Sequence, residues 1–563
     1  MSLTLRIAAA PAVLVAASTF LAPLAIGQGL TATEKDKIGL TALINRLGAA
    51  APNGAGIAVT QVEAPLTQFG NDYRPDPLQF PGDTIIPKTP SGTLSTHALA
   101  VGLAWYGSGG ASPGVSQVEV WNANSWQTDV LRLGSRFAPT TDTKRVANFS
   151  WFGNFASTDD AENALARLDL LAERDNVVMV VSTNNGSGTS MPQFPASMYN
   201  GITVGLSSGA SSKGPTLINP GRSKPDIVAP ASINSLATPW VSGAAAILLQ
   251  AAGSNANASQ ATTVKAVLLA GATKNEFDLN GSTATTFDDW SHTSTQPLDQ
   301  RYGAGELNID NSHRILTSGE QAASDTVGVG LTGWDYGTAS PSDLQQYFFT
   351  VPAGHVAQMV SIIATWERHI DFTIGPIGGE GTLTPSLANI DLTLSKAQGF
   401  TVGSTIAESL STVDNVEHIY LNGQQQGNFL MPGQYAISVP TDELWNYSLA
   451  WDVQLAKFGD ANGDGVVDGV DYTRWADHFM QTGATFNQGD FNGDGVVDGA
   501  DYTAWADNFN PLSAAASMSV ATVPEPSGLT LSGLGLALLT LFCCGRRMIR
   551  HSVRSRLKPD AAA

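Results

Sequence analysis

The chain has 563 residues, 43% of them hydrophobic and 14% charged, and carries a net charge of −20. At about 100–200 residues per domain that length holds roughly three or four folded units, and so acidic a chain repels a phosphate backbone, which excludes a nucleic-acid-binding role. The only cysteines, Cys543 and Cys544, are adjacent and near the C-terminus, so no disulfide framework staples the rest of the chain.

Residues 1–27 read as an export signal, with Arg6 at a positive start, an apolar stretch from Ile7 to Ile26 and the small-x-small site Ala25-Ile26-Gly27. The expected first folded block, residues 34–315, alternates short Val/Ile-rich runs (56–62, 146–150, 177–181, 201–204) with helical patterns such as DDAENALARLDLLAER from Asp159 to Arg174. That alternation predicts an α/β domain with a mostly parallel sheet. From 320 to 455 the pattern changes to short alternating strands broken by Gly, Pro and Asn, which predicts an all-β sandwich whose role is binding or spacing. Residues 511–528 form a small-residue linker.

Between the sandwich and the linker, residues 459–510 repeat with a period of 30: GDANGDGVVDGVDYTRWADHF from Gly459 and GDFNGDGVVDGADYTAWADNF from Gly489. Each copy sets oxygen donors at loop positions 1, 3, 5, 9 and 12: Asp460, Asn462, Asp464, Asp468 and Asp471, then Asp490, Asn492, Asp494, Asp498 and Asp501. Position 7, Val466 or Val496, offers its backbone carbonyl, and so hard and acidic a set calls for calcium. A helix is expected only after each loop, from Tyr472 to Phe479 and from Tyr502 to Phe509, with Asp in place of the bidentate Glu of a helix-loop-helix hand. The duplication resembles a dockerin type I module, and the resemblance implies a cohesin-like partner; a structural spacer is the other reading.

The C-terminal segment 523–558 runs Val523-Pro524-Glu525-Pro526-Ser527, then an apolar stretch over 529–544, then Arg546, Arg547, Arg550, Arg554, Arg556 and Lys558. The basic cluster puts that end of the membrane segment in the cytoplasm. This order resembles PEP-CTERM sorting signals, which implies a transient membrane anchor and a sorting enzyme of the exosortase type. Between Gln28 and Gly528 the chain then carries 22 basic and 48 acidic residues, a net −26.

Candidate chemistry lies in the α/β block. His97 is the only histidine before His292, so a base titrating near neutrality has one candidate there. Ser235 stands just ahead of a Pro-containing first turn, Leu236-Ala237-Thr238-Pro239, and an Ala/Leu-rich helical pattern, where a hydroxyl and a backbone N–H at a positive helix end suit an attacking oxygen and a developing oxyanion. Taken alone, His97 reads equally as a structural residue and Ser235 as an ordinary cap.

The order of motifs resembles the subtilisin-like serine peptidases (subtilases) over about 220 residues. Gly54 to Ala64 (GAGIAVTQVEA) is similar to the strand that ends in the catalytic acid, with Glu63 where Asp is usual. His97 to Val101 resembles the helix-opening His motif, Asn148 to Gly153 the substrate-binding strand, and Val180 to Gly186 the turn whose Asn, here Asn185, supports an oxyanion hole. Lys224 to Pro230 followed by Ser235 to Pro239 resembles the approach to the nucleophile. The resemblance implies acyl transfer at peptide bonds, with Ser235 as nucleophile, His97 as general base, Glu63 orienting it and Asn185 at the oxyanion. If Glu63 is not the orienter, Asp72, Asp76 and Asp83 lie between it and His97. Gly188-Thr189-Ser190-Met191-Pro192 imitates the nucleophile signature but no helical pattern follows it. Departures from the pattern are Ile233 in place of Gly, a short segment between Ala229 and Ser235, and bulky Trp151 and Phe152. The expected whole is an exported, surface-located serine endopeptidase; the competing reading is a non-catalytic scaffold with the same fold, attached through its calcium module.

Overall fold

A computed structural model describes residues 14–15, 29–66, 70–186, 190–277 and 290–510. Most of the expected signal segment, the linker 511–528, the sorting segment 523–558 with its apolar stretch 529–544, and both cysteines lie outside the described residues.

Seven strands form the main sheet: β1 (Ala58–Glu63), β2 (Thr84–Pro87), β3 (Gln117–Asn122), β4 (Val146–Phe149), β5 (Val178–Ser182), β6 (Gly201–Leu206) and β7 (Ile227–Ala229). They are all parallel, in the order β7-β6-β5-β4-β1-β3-β2. The central strands β4, β5 and β6 are buried along their whole length, so their sequences are mostly apolar and do not alternate, with Asn148, Ser182 and Thr203 as buried polar exceptions. β2, largely exposed, ends in Pro87, which an edge strand tolerates because no neighbour needs its N–H.

Helices cover both faces. α1 (Thr96–Trp105) is capped by Ser95, and α2 (Thr158–Asp175) starts at Ser157 with Asp159 and Asp160 in its first turn and ends on left-handed Asn176. α3 (Asn234–Ala252) and α4 (Ala261–Ala270) follow, and shorter helices at Leu40–Leu47, Ala123–Asp129 and Ile309–Thr317 belong to the same block. α3 is long and apolar enough by composition to cross a membrane, but most of it is buried in the core of the α/β block.

The following residues form two four-stranded antiparallel sheets around a second apolar core. Their strands are β8 (Thr332–Ala339), β9 (Gln345–Val351), β10 (His355–Trp366), β11 (Leu392–Gln398), β12 (Thr401–Ser409), β13 (Val416–Asn422), β14 (Gly433–Val439) and β15 (Trp445–Lys457), ordered β8-β15-β10-β13 and β9-β14-β11-β12. The first of these sheets packs on α4, and Trp334, Ile363, Val416 and Ala450 belong to the core of the α/β block. Polar groups cross the same seam. Thr365 donates to the Thr262 carbonyl at 3.0 Å, Asn200 and the Arg368 backbone exchange two bonds of 2.7 Å, and Ser223 N–H donates to Asp414 at 2.8 Å.

The repeat at 459–510 carries α5 (Gly469–Asp477) and α6 (Gly499–Asn508). Both begin three residues before the expected Tyr472 and Tyr502, because Asp468 and Asp498 act as N-caps and Asp471 and Asp501 close capping boxes. The copies are tied reciprocally: Trp475 Nε1 donates to the Asp498 carbonyl at 2.9 Å and Trp505 Nε1 to the Asp468 carbonyl at 2.8 Å.

Because the sandwich contributes to the core of the α/β block, the two should unfold together. Trp334, 1% exposed and bonded through Nε1 to the Leu316 carbonyl, is the test residue. Trp334→Ala should cost about 3–5 kcal/mol and shift a single urea transition seen by both tryptophan fluorescence and far-UV circular dichroism. Two separated transitions, one of them unmoved, would show that the blocks fold independently.

Candidate active site

The site begins at the end of β1. In a strand, alternate side chains share a face, so Gln61 and Glu63 lie on one side. Both are fully buried. Gln61 Nε2 donates to Glu63 Oε1 at 2.8 Å and to the Ala98 carbonyl at 2.9 Å, and Tyr106 OH donates to Gln61 Oε1 at 2.5 Å. The other carboxylate oxygen of Glu63 stands 2.8 Å from His97 Nδ1. That contact assigns the Nδ1 proton to the Glu63 side and leaves Nε2 as the basic nitrogen of the neutral ring. The His97 side chain keeps 28% of its exposure, so the ring joins a buried acid to a surface accessible to solvent. Burial works against the imidazolium, but the charge and hydrogen bond of Glu63 outweigh it, and His97 is held above the ordinary histidine range.

Ser235 is the second residue of α3 and 6% exposed. The helix opens on Ile233, whose φ of −145° is extended backbone that a branched residue adopts readily, so glycine is not required there. No side chain of Ile233 caps the helix. Instead Asn185 Oδ1 accepts the Asn234 N–H at 2.9 Å, while Asn234 Nδ2 donates to the Asn184 carbonyl at 2.8 Å and Ser211 Oγ to Asn234 Oδ1 at 2.9 Å. Asn185 thus lies at the start of the Ser235 helix with its oxygen engaged. Pro239 is the sixth helical residue and not in the first turn as the sequence pattern placed it; lacking an N–H, it removes the intrahelical partner of the Ser235 carbonyl. Ser235 Oγ makes no hydrogen bond to His97 or to any other described residue; such contacts commonly tighten only when substrate is bound.

β4 is pinned to α3 and to the segment that follows it: Ser242 Oγ donates to Asn148 Oδ1 at 2.9 Å, and Asn148 Nδ2 to Ser150 Oγ at 2.9 Å. Trp151 is turned inward against Phe149 and Phe194, with ring centroids 6.2 and 5.9 Å away, so its bulk fills core. Asp72 accepts the Leu66 N–H and Asp76 caps the turn at Leu78, and neither these nor Asp83 bonds to His97. Ser190 is exposed and bridges to Lys213, with no helix after it; Gly188 and Thr189 lie outside the described residues. Gln61, Tyr106 and Asn234 escaped the sequence reading. The two-residue spacing of Gln61 from Glu63 was the one available signal.

In each acidic loop of the repeat, carboxylates hold backbone N–H groups. Asp460 accepts from Gly463 and Gly465 at 2.8 and 2.9 Å, and Asp471 from Asn462 and Asp468 at 3.1 and 2.8 Å. Asp490 and Asp501 repeat the arrangement. Asn462 and Asn492 bond to Asp464 and Asp494. No group of three or more His, Cys, Asp or Glu side chains among the described residues is arranged to hold a metal ion. The donor chemistry, all oxygen with buried Asp460, Asp471, Asp490 and Asp501, nevertheless fits a hard cation.

A parallel α/β block with a buried acid behind a histidine, and a serine at the start of a core helix, defines the class. Residues 84–305 match the Subtilase family, Peptidase_S8, so the chain carries a subtilase-family domain. The match includes His97, Asn185 and Ser235 and begins after Glu63. No curated protein matches the chain. Among solved structures, similar chains include the prenylagaramide maturation protease PagA (20% identity, 49% of this chain and 98% of that one, TM-score 0.33) and the patellamide maturation protease PatA (19%, 47% and 98%, 0.33). The PatG macrocyclase in complex with peptide is another (15%, 52% and 99%, 0.36).

The pairing makes a prediction for His97. Its raised folded value means that its contribution to stability is full below the unfolded value of about 6.5 and is lost as pH rises through the folded one. In Glu63→Gln only the burial effect remains, so an NMR titration of the His97 ring should move from above to below the ordinary value. An unchanged midpoint would show that Glu63 does not hold the ring.

Proposed function

We propose that the chain is a serine endopeptidase acting through Ser235, His97 and Glu63. The observation that carries this is the buried Glu63 carboxylate bonded to a part-exposed His97, on a subtilase-family domain whose matched segment includes Ser235. Ser235 Oγ attacks the peptide carbonyl carbon while His97 Nε2 takes its proton, and Glu63 stabilises the imidazolium. The carbonyl oxygen, now negative, is received by the Asn185 amide and the Ser235 backbone N–H, one of the unpaired donors of the helix start. The intermediate collapses, the amine leaves with the proton from His97, and water then hydrolyses the acyl-enzyme by the same steps. A fluorophosphonate probe should label the wild type and not Ser235→Ala, and Glu63→Gln should lower kcat by orders of magnitude, about 10⁴ by analogy with loss of a triad acid. The unmade Ser235–His97 bond favours a second reading, a subtilase-fold surface scaffold, which well-folded wild type that takes no label would support.

We further infer where the chain acts. The chain is exported, held transiently by segment 523–558 until a sorting enzyme acts, and displayed at the cell surface. Calcium, held by Asp460, Asn462, Asp464, Val466, Asp468 and Asp471 and by Asp490, Asn492, Asp494, Val496, Asp498 and Asp501, would neutralise the loop carboxylates and fix the paired helices, with a cohesin-like protein as the partner. Calcium at about 100 times its dissociation constant adds about 2.7 kcal/mol. Adding EDTA should therefore raise amide exchange across 472–509; unchanged exchange would remove calcium from this account.

A further inference from the structure

At the seam between the α/β block and the sandwich lies a cavity of about 370 Å³, bounded by Glu173 near the end of α2, Tyr336 on β8, Glu367 and His369 just after β10, and Trp445 at the start of β15. Its chemistry is lopsided. The Glu367 side chain accepts no hydrogen bond and makes no ion pair among the described residues, although its backbone carbonyl accepts Trp445 Nε1 at 2.9 Å, which fixes the indole on the same wall. Glu173 pairs with His369 Nδ1 at 2.7 Å. The basic residues nearby are engaged elsewhere: Lys265 with Asp226 at 3.2 Å and the Gly201 carbonyl at 2.9 Å, and Arg368 with Asp169 at 3.2 Å. The cavity therefore presents two carboxyl groups and two aromatic rings, with His369 as its only titratable base.

We propose that this cavity binds an alkylammonium or guanidinium group on an uncharged stem, such as a lysine or arginine side chain of a peptide. The carboxyls of Glu367 and Glu173 would receive the N–H donors, and the rings of Tyr336 and Trp445 the cationic face and stem. The site is independent of the triad. Burial pushes Glu367 up to about 8, the charges of Glu173 and Asp169 add to this, and Lys265 opposes it. At neutral pH the group thus holds a proton that an entering cation displaces. His369, raised chiefly by its bond to Glu173 and also by Asp371, is charged at low pH and competes with the ligand. Both effects make binding tighten as pH rises to about 8.

The test is isothermal titration calorimetry of the full chain with Nα-acetyl-lysine amide, its isostere Nα-acetyl-norleucine amide, and cadaverine. The lysine derivative should bind with proton release at pH 7, read from two buffers of different ionisation heat, and at least tenfold tighter at pH 8.5 than at pH 6. Norleucine amide should give no signal, Glu367→Gln should weaken lysine binding at least tenfold, and Ser235→Ala should leave it unchanged. Cadaverine binding without the lysine derivative would assign the same site to free amines. Equal binding of norleucine amide, or undiminished binding by Glu367→Gln, would overturn the proposal, as would absence of binding by either amine. The folded state holds the Glu367 proton up to about pH 8 while the unfolded chain loses it near 4.5, so wild-type stability falls across that window; Glu367→Gln should lack this component and remain folded. Tyr336→Leu gives a second variant, with at least tenfold weaker binding expected.

Discussion

The candidate site is organised around one hydrogen bond, between the Glu63 carboxylate and His97. A fully buried carboxylate is costly to desolvate unless its oxygens are satisfied, and here each has one partner: His97 on Oε2 and Gln61 on Oε1. Gln61 is itself fixed at both ends, by the Ala98 carbonyl and by Tyr106 OH. A glutamate has one more rotatable bond than an aspartate, and this clamp removes the freedom that the extra methylene adds. It also joins β1 to α1: the amide that steadies Glu63 also bonds the first turn of the helix that carries His97.

The serine side of the site is built by a different device. Helix α3 begins without a cap from its own N-cap residue, and its first N–H is satisfied from 49 residues away by Asn185. One residue thereby performs the capping that Ser, Asp or Asn usually performs locally, and is at the same time brought beside Ser235. The two halves of the site meet through packing of α1 on α3, not through a hydrogen bond between His97 and Ser235.

How much of this the sequence disclosed follows from the range of the interactions. The buried parallel strands were legible because a strand covered on both faces is mostly apolar, and α2 was legible from its acidic first turn and helical periodicity. α5 and α6 begin three residues before Tyr472 and Tyr502 because Asp468, Asp471, Asp498 and Asp501 serve both as loop acids and as a capping box. Ile233, Trp151 and Pro239 looked like departures or misplaced signals for want of backbone angles and side-chain direction. Tyr106 stands 45 residues from the amide it holds, and nothing local marks it. Trp334 and Ile363 read as ordinary strand residues, so the sharing of a core between sandwich and α/β block carried no periodic signature.

That shared core gives the sandwich a part in the site. The first sheet covers the outer face of α4 and bonds its first residues through Thr365 and Ser448 to Thr262. From α4, Lys265 reaches Asp226, which also pairs with Lys224 at 2.6 Å and accepts the Thr203 N–H at 2.7 Å. Burial pulls Lys224 down to about 8 against the attraction of Asp226, so the cluster of two lysines and one carboxylate is sensitive to solvent and geometry. Asp226 immediately precedes β7, and β7 leads within a few residues to Asn234 and Ser235. Removing the sheet would wet α4, loosen Lys265 and leave Asp226 with only Lys224 and the Thr203 N–H, just ahead of Ser235. The position of Ser235 is thus supported from the far side of the sandwich seam as well as from Asn185.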